Sequence, residues 1–122
     1  MPQPESHPYF VAVPSRELTT PEFSVLARLL TAATDHAKQV SQLRVVGRCG
    51  CGACPTVFFR APIKTQAESD VAHFVGRDKS GGLTGAVVLS TDEGLSQLEF
   101  YSVDGHEPWD IPEADSLEQA DA

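Results

Sequence analysis

The sequence predicts an α+β domain: one long N-terminal helix packed on a mostly antiparallel sheet of about five strands. Three observations predict it. A chain of 122 residues with 41% hydrophobic and 21% charged residues fits a single domain with a real core. After Thr20, apolar residues recur at alternating spacings of three and four. After residue 42 the pattern changes to short strand-forming runs separated by Gly, Pro and Asp clusters.

The predicted helix starts at Thr20 as N-cap, with Pro21 at the first helical position and Glu22 in the first turn, where a negative charge suits the dipole. Phe23, Leu26, Leu30, Ala33, Ala37 and Val40 form its apolar stripe, which Leu29 widens. Arg28, Asp35, Lys38 and Gln39 take the other side. A single helix cannot bury such a face alone and needs a sheet to lie on. The predicted strands are Leu43 to Arg48, Thr56 to Arg60, Val71 to Gly76, Gly85 to Ser90 and Leu95 to Val103, with Tyr9 to Val13 as a short edge strand. The first two form a hairpin around a Gly/Cys-rich turn, residues 61 to 70 are a loop, and Thr91 to Gly94 is a hairpin turn. In the last strand Leu98 and Phe100 share one face, while Glu99, Tyr101 and Val103 share the other. Pro108 and Pro112 forbid a further central strand, and Trp109 and Ile111 are expected to pack back onto the body. The expected domain spans 1–122, with residues 1–8, rich in proline, as a flexible arm and 113–122 as a loose acidic tail.

The net charge of -8 is unevenly placed. The last basic residue is Lys79, and the ten acids from Asp92 to Asp121 give the segment after it a charge of -10, against +2 for the first 79 residues. Such a field repels phosphate backbones, so direct nucleic-acid binding is not expected, and it attracts a basic protein. The start of the sequence has neither a basic region nor an apolar run, and the longest aliphatic run is Ala86 to Leu89. No membrane association is expected, and a cytoplasmic location is. There the cysteines are thiols or metal ligands rather than structural disulfides.

Cys49, Cys51 and Cys54 are spaced C-x-C-x-x-C. Residues two apart on a strand point to one side, so Cys49 and Cys51 can converge. Gly50 and Gly52 let the backbone bend, and Cys51 with Cys54 has the spacing of a metal knuckle or a redox pair. Three thiolates and a histidine make a tetrahedral zinc site, with His73 and His106 as candidate fourth ligands and His36, on the helix, a poorer one. The alternatives are cysteines that simply fill a core and a thiol redox centre. Neither a phosphate-binding glycine loop nor a nucleophile with its base is recognisable, so an enzyme is not expected.

Gly47 to Gly52 is similar to the opening of the glutathione-dependent formaldehyde-activating type of zinc protein, which carries a second, downstream cysteine cluster that this sequence lacks. Val45 to Cys51, Gly94 to Glu99 and Leu98 to Gly105 resemble small bacterial proteins of similar length. That resemblance implies a similar fold and a bacterial source but no activity. The expected function is a non-enzymatic, immunity-type inhibitor that meets a basic protein through its acidic C-terminal half. The candidate contacts are Tyr101, Asp104, His106, Glu107, Trp109 and Asp110, and a homodimer through Phe58, Tyr101 and Val103 is the other assembly considered. The alternative function is a small zinc-binding or thiol-redox module centred on the three cysteines.

Overall fold

In the computed structural model, residues 10–51, 54–63 and 65–120 are described. The expected arm at 1–8 lies outside them. Seven strands form one sheet: β1 (Phe10–Arg16), β2 (Val45–Cys49), β3 (Val57–Phe58), β4 (Ser69–Arg77), β5 (Leu83–Thr91), β6 (Gly94–Ser102) and β7 (Glu118–Gln119). Their order across the sheet is β1-β2-β3-β6-β5-β4-β7, and every neighbouring pair is antiparallel. Among the described residues a single α-helix, α1 (Thr20–Leu29), is followed by 3-10 turns at Leu30–Ala32 and Thr34–Gln42. Among the described residues no helix is long and apolar enough to cross a membrane.

The expected long helix over five strands is therefore corrected: α1 has ten residues and the sheet has seven strands. The helix begins one residue earlier than expected because Thr19 and Glu22 form a capping box, the Thr19 hydroxyl accepting from the Glu22 N–H and the Glu22 carboxylate accepting from the Thr19 N–H. It ends early for a local reason. The Thr31 hydroxyl donates to the Arg28 carbonyl at 2.7 Å, a bond that competes with the helical ladder. Ala33 then leaves the helical region at φ -149°, ψ 64°. Of the expected stripe, Leu26 and Leu30 are buried but Phe23 is 50% exposed. The buried positions Glu22, Val25, Leu26 and Leu29 define the true inner face.

That face lies on one side of the sheet. Val25, Leu26, Leu29 and Leu30 share a core with Val45, Val57, Ala72, Phe74, Ala86, Val88, Leu98 and Phe100. Alternation sends Gln97, Glu99 and Tyr101 to the other side, with Phe58 and Val87 also outside the core. There the Phe10 ring meets the Phe58 ring edge-on, 5.0 Å between centres, over Gly47, where a Cβ would collide with it. Glu22 is buried, and burial alone would raise its pKa. The two hydrogen bonds from Arg16, each 3.0 Å, and those at Thr19 outweigh this and hold the carboxyl below its usual range. The pair ties the end of β1 to the start of α1.

Of the expected acidic tail at 113–122, the described residues, 113–120, are held against the body. Leu117 is 1% exposed in the core, β7 pairs with β4, and Arg28 donates to the Leu117 carbonyl at 3.1 Å while its guanidinium lies over Phe74. Trp109 and Ile111 pack against the same core, as expected.

Leu98 is fully buried between Val57 and Val88. Leu98→Ala should cost about 2–5 kcal/mol, and Thr19→Ala, which removes the N-cap, about 1 kcal/mol. Urea unfolding of the two variants measures both. Equal costs would contradict the placement of Leu98.

Candidate functional site

The β2–β3 hairpin carries the cysteines. β2 pairs with β3 through Gly47 opposite Phe58 and Arg48 opposite Val57, and the Cys49 N–H donates to the Thr56 carbonyl at 3.3 Å, closing the turn. The three sulfurs lie within 4.8 Å of one another, and none is in a disulfide. Cys51 and Cys54 Sγ are 3.4 Å apart, and the Cys54 N–H donates to Cys51 Sγ at 3.3 Å. A tetrahedral ion with Zn–S bonds of about 2.3 Å spaces its sulfurs by roughly 3.8 Å. The cluster therefore needs only small side-chain adjustments to hold one, and three close cysteines of this kind can bind a metal ion. An N–H aimed at a sulfur also stabilises its thiolate form.

The core-filling alternative fits the cysteines poorly. Free cysteine that packs as a small hydrophobe is usually buried, whereas Cys51 is exposed, Cys49 and Cys54 are half-buried, and none belongs to the core. Burial first, and after it the neighbouring Cys51 and Cys54 sulfurs, push the Cys49 thiol up to about 12, against the opposing pull of a backbone hydrogen bond at Cys51. Cys49 is thus a neutral thiol at pH 7 until something replaces its proton.

Neither expected fourth ligand joins the cluster. His73 stands on β4, opposite Val87, and its Nε2 is hydrogen-bonded to the Tyr101 hydroxyl. His106 lies between two carboxylates, Nε2 on Asp78 Oδ2 at 2.7 Å and Nδ1 on Asp104 Oδ1. His36 pairs with Gln39 at 3.2 Å. Among the described residues, the group of three or more metal-ligating side chains that gathers at one point is the cysteine trio.

The candidate partner contacts separate into two kinds. Glu107 and Asp110 are exposed, but Asp104 works inside the fold, accepting from the Leu83 N–H at 3.2 Å and from the backbone and ring of His106. Trp109 is half-buried against the core, and Tyr101 is half-buried beside His73. Sequence reasoning passed over Asp78. Its side chain is 1% exposed and accepts from Ser80 N–H and Oγ, the Gly82 N–H, His106 and the Asp110 N–H. The signal was present as Asp78-Lys79-Ser80, an Asx-turn pattern, but its second set of donors comes from residues 28 and 32 positions away. Gly82 is required because a Cβ there would sit 2.2 Å from the His106 ring. A cleft of about 590 Å³ near the β5–β6 turn includes Gln39, Arg44, Phe59, Arg60 and Glu93, and Arg60 is already neutralised by Glu93 at 3.0 Å.

His106 has its pKa raised above 6.5, chiefly by its bonds to Asp78 and then Asp104. Asp78 is held well below the ordinary carboxylate range by His106 and Ser80. Asp104 is lowered to about 2, first by the Leu83 N–H and then by His106. The histidine contribution is complete below pH 6.5 and lost as pH rises through its raised value. The carboxylate contributions are complete above their unfolded values near 3.8 and lost as pH falls through the depressed ones. The urea midpoint should therefore fall between pH 6 and pH 9, and His106→Gln should lower it most at pH 6 and flatten that slope. An identical slope in the variant would remove this account. No family model, no curated protein and no solved structure matches this chain.

Proposed function

We propose that this chain is a small metal-binding domain in which zinc, held by the thiolates of Cys49, Cys51 and Cys54, clamps the β2–β3 hairpin. The observation that carries this reading is the convergence of three cysteine sulfurs, none in a disulfide, within 4.8 Å at a position that contributes nothing to the core. The Cys54 N–H on Cys51 Sγ supports it further, since a donor placed there favours the thiolate that a metal needs. Soft thiolate ligands select zinc, Cu(I) or iron–sulfur centres over magnesium and calcium. Because the core is complete without the cysteines, the metal-free protein stays folded, and the ion adds stability by binding linkage.

Zinc titration should give one equivalent bound with release of protons, Cys49 among the donors. Affinity should rise about tenfold per pH unit for each proton released, because the ion competes with a raised thiol pKa. Cys51→Ser and Cys54→Ser should each abolish tight binding without unfolding the protein. Well under one equivalent bound, with all three thiols freely titratable in the native state after reconstitution, would end the reading.

A second reading, an inhibitor that meets a basic protein, is favoured by exposed acids at Asp92, Glu93, Glu107, Asp110, Glu113 and Asp115 in a segment with no basic residue. Complementary charge of this kind speeds association and weakens with salt. Asp104 is unsuited to testing it because of its internal bonds. Charge reversal at Glu107 and Asp110 should abolish capture of a stoichiometric basic protein from the native host at low salt, while leaving zinc binding intact. Absence of any stoichiometric partner at both low and moderate salt counts against it.

A further inference from the structure

We propose that Cys51 and Cys54 form a dithiol that reacts with low-molecular-weight disulfides and expels the metal as it closes, an inference that rests on the zinc reading above and names how that site is regulated. The Cys51 and Cys54 sulfurs are 3.4 Å apart. An S–S bond is about 2.05 Å long, so bonding asks the two sulfurs to approach by about 1.4 Å.

Exposure gives the two sulfurs different parts. Cys51 is exposed, so it is the sulfur that a disulfide in solution reaches, whereas Cys54 is half-buried beside it. The Cys54 N–H donates to Cys51 Sγ at 3.3 Å, a bond that keeps the two residues together. Cys49 is held by the sheet. It stands in β2 opposite Phe10 of β1, and its N–H donates to the Thr56 carbonyl at 3.3 Å. A bond from Cys49 to Cys51 would close through one residue, a smaller and more strained ring than the C-x-x-C spacing of Cys51 and Cys54 allows. The far side of the turn is fixed as well, because the Phe100 N–H donates to the Thr56 hydroxyl at 3.0 Å. Closure therefore changes the turn and leaves the sheet in place.

The chemistry is thiol–disulfide exchange. Cys51 Sγ, as thiolate, attacks one sulfur of an external disulfide R–S–S–R, forming a mixed disulfide and releasing the first RS⁻. Cys54 Sγ then attacks the Cys51 sulfur, forming the internal disulfide and releasing the second RS⁻. The protein loses two electrons, the external disulfide gains two, and zinc stays divalent throughout. The thiolate is the ligand form of cysteine, so closure removes two of the three ligands, and Cys49 alone does not retain the ion. An external thiol runs the exchange backwards and restores the site. None of the three cysteines belongs to the core, so the domain stays folded in both states.

The test uses the full chain loaded with zinc, glutathione disulfide as the probe and a chromophoric zinc indicator. Wild type should release its zinc together with the loss of two hydrogen masses. Alkylation and fragmentation should place the new bond between Cys51 and Cys54 and find Cys49 alkylated. Excess dithiothreitol should reverse both signals. In the metal-free chain Cys54→Ser should stop at a glutathione mixed disulfide on Cys51, and Cys49→Ser should still form the internal bond. Far-UV circular dichroism confirms that each variant is folded. Zinc that is taken up but retained under glutathione disulfide, or a bond that uses Cys49, overturns the inference and leaves the metal site standing. A wild type that takes up no zinc overturns the metal reading and the release coupled to it.

Discussion

The inner face of a seven-stranded sheet has to be covered, and the only α-helix among the described residues is ten residues long. This mismatch organises the rest of the molecule. A helix rises about 1.5 Å per residue, so α1 is about 15 Å long, enough for the middle strands and no more. The remaining cover comes from the chain that returns after β6. Trp109 and Ile111 pack on the core, Leu117 enters it, and β7 closes onto β4. Gly76 makes the return possible, because a side chain there would collide with Ser116 and Leu117.

A returning segment without long regular structure needs polar anchors, and Asp78 supplies the main one. Its buried carboxylate would be costly without compensation. It is matched instead by donors from its own turn, from His106 and from the Asp110 backbone. One side chain thus couples the β4–β5 turn to the chain beyond β6. Asp104 does similar work from the other side of the His106 ring. Part of the acidic C-terminal charge is therefore committed to architecture, and the exposed remainder is what a partner would meet.

The three cysteines are under no such demand. Their hairpin lies between β1 and β6 and gives Val45 and Val57 to the core, but the cysteines at its turn are not part of that core. Three thiols gathered in such a place could hold a metal ion.

Local chemistry was legible in the sequence. The strand runs, the hairpin around the cysteines, the alternation of Leu98 and Phe100 against Glu99 and Tyr101, and the packing of Trp109 and Ile111 all follow from short-range pattern. So does the spacing that lets three cysteines converge. Helix length was not legible, because the Thr31 hydroxyl bond to the Arg28 carbonyl and the non-helical backbone of Ala33 mark its end while the apolar spacing runs on to Val40. Nor were the strand order, the burial of Leu117 and the use of Asp78, His106 and Asp104 as internal ties, since each depends on contacts between residues far apart in the chain. The sequence by itself determined which residues could bind a metal. Tertiary structure decided which of them meet, because distance across a sheet is set by strand order, and strand order is not written in any single segment.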